Sequence, residues 1–398
     1  MKINRNDFVA SLSFALDFLE ISLRADVTNH GKRVCLTANK IARALGLGSN
    51  ETLDLYACSM LHDNGFTHEA YNALSENGVD RLERMASHCV VGERNMESFP
   101  FLEKRENVIK YHHEQYDGSG NFHIKGDDIP LFSRIILLAD DVEIAWRLGR
   151  SPDDIMDMIK SGRGAKYSPD ICDSFGEISR HTSFWLSLGD IFINDELKNS
   201  APEGKPDIGL TEMFSMSEIM CRIIDAKSPF TGKHSRGIAA IAETMADYYG
   251  FGETRKGKLV VAANLHDVGK LLIPNKIIDK TGPLTRDEFN EMKGHTFYTR
   301  KALEPIKGIE DIVEWASNHH EKLNGLGYPY GLPGSDLSFE SQLMACVDIY
   351  QALTENRPYR QPISAAEVSS IMTKMATDGL INRDVTADLI ERFSDNVA

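Results

Sequence analysis

The 398-residue chain is short of positive charge: 44 Lys and Arg against 59 Asp and Glu leave a formal net charge of −15. A surface that coats a nucleic-acid polymer is basic, so that class of function is set aside. A nucleotide substrate is not, because bound metal ions supply local positive charge inside an acidic protein. No stretch approaches the ~18 uninterrupted apolar residues of a membrane span. The N-terminal MKINRNDFVASLSFALDFLE lacks the basic-apolar-small order of a secretory signal. The six cysteines (Cys35, Cys58, Cys89, Cys172, Cys221, Cys346) form no CxxC pair, and several sit inside apolar patterns such as DLYACSML and LMACVD. We expect buried thiols in a reducing cytoplasm, without disulfides. There is no low-complexity segment, no βαβ alternation and no Gly-rich phosphate loop; GFGETRKGK after Tyr249 is a helix-to-helix turn.

What the chain does have is one ligand pattern written twice. A His is followed by a His-Asp pair, a His, a His-His pair and an Asp. In the second half these are His234, His266, Asp267, His295, His319, His320 and Asp348. In the first half they are His30, His62, Asp63, His88, His112, His113 and Asp140. His30 to His234 is 204 positions and Asp140 to Asp348 is 208. Two such sets in step imply a duplicated domain.

Helical periodicity accompanies the repeat. Ile238, Ile241, Ala242, Met245 and Tyr249 follow His234 and stop at Gly250; Val34, Ala38, Ile41, Ala42 and Leu45 follow His30 and stop at Gly46. Both are amphipathic stripes with a glycine stop. The spacing predicts further helices over Leu259–Val268, ending at Gly269, and over Leu53–Asp63, ending at Gly65. Each His-Asp pair then stands at a helix C-terminus. The fold class expected is all-α: two tandem helical domains, each with a buried multinuclear metal site, over residues 1–198 and 209–398. The polar, Pro-containing NSAPEGKPD supplies a linker at 199–208.

His and carboxylate donors without Cys suit borderline to hard ions such as Fe, Mn, Co, Ni or Zn. Seven donors exceed one tetrahedral ion, so two ions sharing a carboxylate is the economical arrangement. A pair of ions ~3.5–4 Å apart clamps an in-line phosphoryl displacement, which points to phosphoester hydrolysis.

HDVGK (266–270), KTGPLTRDEF (280–289), His295, HHEKLNGLGYP (319–329) and VDIYQALTENRPYR (347–360) together resemble the HD-GYP family, a branch of the HD metal-dependent phosphohydrolases, over about residues 210–395. The resemblance implies an all-helical fold, a di- or trinuclear metal centre and hydrolysis of 3′,5′-cyclic dinucleotides. It implies that the seven second-half residues are metal ligands, with Asp267 bridging and catalytic. Lys270 would neutralise a phosphate oxygen, and Arg357 and Arg360 would hold substrate phosphates; a solvated Lys and a solvated turn are the structural alternatives. Tyr328, in Gly327-Tyr328-Pro329, shapes the pocket rim, meets a signalling partner, or is a plain turn residue. Asn324 stands where the family usually has Asp, and Leu323 where Trp is frequent. Some members carry a Glu ligand four residues before the first His; here that is Phe230, so we expect two divalent ions (Fe, Mn or similar) in the second half.

The first half keeps every ligand type and loses the substrate-handling residues. HDVGK becomes HDNGF, with Phe66 for the lysine; GLGYP becomes GSGNF (118–122); RPYR has no counterpart beyond the stray Arg147 and Arg150. Asp26, four residues before His30, is either a third-ion ligand or a solvated capping residue, so two or three ions are expected there. We expect a cytoplasmic enzyme that opens cyclic di-GMP or 3′,3′-cyclic GMP-AMP to a linear 5′-phosphorylated dinucleotide, with the first half removing the 5′-phosphate. The alternatives are a first half that only regulates, or a cyclic-dinucleotide-binding signalling scaffold with little turnover. A membrane or polymeric nucleic-acid partner is not expected.

Overall fold

The computed structural model describes residues 2–24, 29–66, 80–201, 206–228, 234–355 and 363–393. Asp26, Phe230, Arg357 and Arg360 lie outside the described residues. The chain divides into two compact units, Arg5–Pro206 and a second made of Met1–Asn4 with Asp207–Ala398. A two-residue strand β1 (Ile3–Asn4) pairs antiparallel with β2 (Asp207–Ile208), matching Ile3 to Ile208. The first four residues therefore join the second unit. Asn199 and Ser200, placed in the linker from composition, end a helix (Ile193–Ser200), and Asp207 and Ile208 form β2.

In the first unit the helices that matter for the site are α1 (Arg5–Arg24), α2 (His30–Ala44), α3 (Ser49–Met60), α4 (Asp80–Met96) and α5 (Leu131–Arg147). In the second they are α6 (Leu210–Ala226), α7 (His234–Tyr248), α8 (Glu253–Leu265), α9 (Arg286–Leu303), α10 (Glu310–Ser317) and α11 (Phe339–Thr354). α2 and α7 end alike. Gly46 and Gly250 take positive φ (74° and 66°), and the next residue's N–H reaches back five positions, Leu47 to Ala42 and Phe251 to Ala246. That is a Schellman stop, which a residue with a Cβ resists.

α3 and α8 are the central helices of their units. Leu259 to Leu265 are all buried, as are Thr52 to Met60. A helical segment buried on every face belongs in a core, and His62, His266 and Asp267 at the C-terminal ends are buried with it. The charged exception in α3, Asp54, is paired: Arg5 lies 3.2 Å away, and the Leu102 and Glu103 N–H groups donate to it.

Both central helices end earlier than periodicity predicts, at Leu265 and Met60. A 3₁₀ turn over Val268–Leu272 follows the first. The glycine of each HDxG explains the break. A Cβ on Gly269 would lie 2.0 Å from the His295 carbonyl oxygen, and one on Gly65 would lie 2.0 Å from that of His88. The turn must press its backbone onto the helix carrying the next histidine, and only glycine allows that approach.

Candidate metal centre

In the second unit, His234 opens α7, His266 caps α8, His295 lies inside α9, His319 and His320 follow α10, and Asp348 lies inside α11. Asp267 stands at the middle. Its Oδ2 is 3.2 Å from His266 Nε2 and 3.9 Å from His234 Nε2; its Oδ1 is 3.5 Å from His295 Nε2 and 3.9 Å from His319 Nε2. Asp348 faces His234 at 3.3 Å and His320 Nδ1 at 3.9 Å. Two groups result, each with donor atoms inside 4.8 Å: His234, His266 and Asp348 on one side, His295, His319 and His320 on the other. One oxygen of Asp267 points to each group.

The first unit reproduces this. Asp63 Oδ2 is 3.5 Å from His30 and 3.4 Å from His62, while Oδ1 is 3.7 Å from both His88 and His112. Asp140 lies 3.4 Å from His30. His113 joins His88 and His112 in the second group, and so does Cys89. Cys89 was not among the expected donors, and its sulfur lies within reach of this group. Its only sequence signal is adjacency to His88, where the second half has Thr296 beside His295.

The donor chemistry fits cations. The Nδ1 atoms of His62, His112, His266, His295 and His319 each donate to the carbonyl three residues back, at 2.5–2.9 Å. With Nδ1 protonated, the lone pair sits on Nε2, which points inward. Nε2 atoms then face each other, His295 to His319 at 3.2 Å and His30 to His62 at 3.2 Å. Facing lone pairs are tolerated around a cation. Asp63 Oδ1 and Asp267 Oδ1 are buried without a hydrogen-bond partner among the described residues, which a positive ion would also answer. Burial drives His295 down to about 3 and His62 and His320 down to about 4, so these rings are neutral at neutral pH. Burial opposes ionisation of Asp267, yet His266 and Lys270 hold it well below the usual carboxylate range.

Around the donors the halves part. Lys270 puts its ammonium 2.5 Å from Asp267 Oδ2. At the matching place Phe66 lies parallel to His88, ring centroids 4.2 Å apart and planes at 12°. The first histidine of each pattern is braced by a glutamate, from different positions. Glu143 accepts from His30 Nδ1 at 2.7 Å and from Arg33 at 2.8 Å, with Arg147 3.5 Å away. Glu355 accepts from His234 Nδ1 at 3.0 Å. The stray Arg147 is thus engaged with Glu143.

Two further residues escaped sequence spacing. Thr299, one turn beyond His295, donates to the His266 carbonyl at 2.9 Å and accepts from Gly269 N–H at 3.0 Å. Glu321, directly after the His pair, accepts from the N–H groups of Tyr330, Gly331 and Leu332 and folds the 320s loop back. That loop stacks Tyr328 against His320, centroids 4.8 Å apart. Tyr328 is therefore a site-facing residue. Asn324 accepts from Leu326 N–H at 3.0 Å as Asp117 does from Ser119 N–H at 2.9 Å, so the Asp-to-Asn departure preserves the loop bond.

A cavity of about 620 Å³ opens over the second-unit donors, lined by His234, Lys270, His295, His320, Tyr328 and Asp348 and by the 280–284 loop. Its volume is in the range of small-ligand sites. Among the described residues no helix is long and apolar enough to cross a membrane.

Comparison with known proteins gives the same two-part division. The family pattern described as "HD domain" matches residues 20–171 and again 218–385. The chain is 30% identical to 3′3′-cGAMP-specific phosphodiesterase 1 of Vibrio cholerae, over 94% of this chain and 89% of that one. It is 26% identical to 3′3′-cGAMP-specific phosphodiesterase 3 of the same organism, over 87% and 78%. A crystal structure of a V. cholerae cyclic GMP-AMP phosphodiesterase, V-cGAP3, superposes over the whole of both chains with a TM-score of 0.72 at 23% identity, which speaks to the fold. With two matches across most of its length and both metal-donor sets assembled, the chain belongs to the HD-domain family and carries that domain twice.

Proposed function

We propose that this protein is a metal-dependent phosphodiesterase that opens a 3′,5′-cyclic dinucleotide, 3′,3′-cyclic GMP-AMP foremost, to a linear 5′-phosphorylated dinucleotide in its second unit. The observation that carries this is Asp267 set between two donor groups beneath a cavity that Lys270 and Tyr328 line. Similarity over most of the chain to relatives named for 3′3′-cGAMP supports the choice of bases.

Bound divalent ions would supply an activated water and polarise the phosphoryl oxygen. His234, His266 and Asp348 would hold one and His295, His319 and His320 the other, with Asp267 between the two groups. Lys270 adds a fixed positive charge where charge grows on the phosphoryl oxygens. Tyr328 offers an aromatic edge over His320. Arg357 and Arg360, outside the described residues, would hold substrate phosphates by the family resemblance.

The first unit, in this proposal, removes the terminal 5′-phosphate from the linear product. It keeps a full donor set but has Phe66 in place of the lysine, which suits a smaller monoester held mainly by metals. The stacking of Phe66 on His88 also favours the second reading, a first unit that regulates without turnover.

The test incubates metal-loaded protein with 3′,3′-cyclic GMP-AMP and with cyclic di-GMP, and identifies products. Ring opening that is lost in His266→Ala/Asp267→Ala supports the proposal; ring opening that survives it places the diesterase elsewhere. In His62→Ala/Asp63→Ala the linear 5′-phosphorylated product should accumulate. An unchanged product distribution would leave the first unit in a regulatory role.

A further inference from the structure

The two donor sets differ by one atom type. In the first unit the group around His88, His112 and His113 contains the Cys89 sulfur, with all four donor atoms within 4.8 Å of one another. Cys89 Sγ lies 3.6 Å from His88 Nε2, and Cys89 is fully buried. Asp63 Oδ1, buried and without a hydrogen-bond partner among the described residues, approaches the same group at 3.7 Å from His88 and His112. Of the other buried thiols in this unit, Cys35 donates toward the Tyr56 carbonyl and accepts from Asn39. In the second unit the position matched to Cys89 is Thr296, whose hydroxyl turns to the Lys293 carbonyl 3.1 Å away.

We propose that Cys89 is a metal ligand, so that the second ion of the first unit is bound by one thiolate and three imidazoles with Asp63 alongside. The second unit binds its ions through nitrogen and oxygen alone. On binding, the thiol gives its proton to solvent and the sulfur donates an electron pair to the ion; no redox change is involved. A thiolate shifts preference toward softer ions, zinc in particular, and weakens the claim of manganese or magnesium. One chain then carries two centres that load different metals from the same pool. This assignment holds whatever ester the first unit meets.

Cobalt(II) reports it directly, because a thiolate ligand gives a near-ultraviolet charge-transfer band that imidazole and carboxylate do not. Full-length protein carrying His266→Ala/Asp267→Ala directs cobalt to the first unit, and mass spectrometry of the intact protein counts the ions. The band is expected in this protein, retained with Cys35→Ser, and lost with Cys89→Ser. Cobalt affinity should fall about tenfold or more with the ligand gone. Cys89→Thr, which copies the second unit's residue, should also lose the band while keeping the helical circular-dichroism spectrum, so misfolding is told apart from ligand loss. A first unit that binds no cobalt, shows no thiolate band, or keeps the band without Cys89 overturns the proposal.

Discussion

The two units share a skeleton of His and Asp donors and differ in the side chain set against it after the HDxG glycine. Both set a carboxylate between two histidine groups by the same device, a glycine that lets the post-helix turn sit against the next histidine helix. Above that skeleton one unit has a lysine ammonium on the carboxylate and the other an aromatic ring on a histidine. Even the brace on the first histidine has moved, from Glu143 in one unit to Glu355 in the other. The donor arrangement is alike in the two units, and the side chains beside it are not. Donor positions are constrained by several partners at once, whereas a single charge over the cavity can be exchanged without disturbing the core.

The sharpest way to break this comparison is to empty one centre at a time. His266→Ala/Asp267→Ala removes donors to both ions of the second unit, and ring opening should fall on the order of a thousandfold or more, since metals contribute several kcal/mol to the transition state. The matched first-unit pair, His62→Ala/Asp63→Ala, should leave ring opening within about twofold when product formation is followed chromatographically. Equal losses from both pairs would show the units to be one catalytic entity.

Next in size is the exchange of Lys270 for the residue its partner unit carries. Lys270→Phe should lower kcat about a hundredfold, the scale of removing one preorganised charge donor, with metal content by elemental analysis unchanged. Loss of metal together with activity would mean that Lys270 serves Asp267 more than the substrate.

Smaller again are the braces. Glu143→Gln and Glu355→Gln keep shape but drop the charge on the histidine's outer nitrogen, and each should weaken metal binding about 10- to 100-fold in its own unit alone. Titration with a competing chelator checks this. Cross-unit effects would show coupling that the separate donor sets do not predict.

Most of the skeleton was legible in the sequence because a ligand set is a matter of residue type and spacing, and duplication wrote it twice. Helix stops at Gly46 and Gly250 were legible for the same local reason. The ends of α3 and α8 were not: periodicity continues through Val268, and the break comes from a tertiary close approach at Gly269. The closeness of Cys89 to His112 and His113 was hidden, because only the fold brings them together. Glu143 and Glu355 sit at different offsets from the aspartate, so aligning the repeats conceals their shared task. The joining of Ile3 to Ile208 rests on a two-residue strand, too short to carry a pattern.

The smallest expected effect concerns Thr299, and it asks whether the turn beneath the metals is held by glycine alone. Its hydroxyl joins the His266 carbonyl to the Gly269 N–H, both buried. The first unit has Gly92 at the matching place and ties its turn instead through Asn64, which donates to the Leu61 carbonyl at 2.7 Å, and Asn95, which donates to the Asn64 carbonyl. Thr299→Val keeps the volume and leaves two buried backbone groups unpaired. It should cost about 1–3 kcal/mol in denaturant unfolding of the second unit, with Asp267 still in place and ring opening reduced only a few-fold. Asn64→Leu should show a loss of similar size in the first unit. If Thr299→Val instead abolishes metal binding, the hydroxyl and not the glycine sets the position of the bridging carboxylate, and the two units hold their central aspartates by different means.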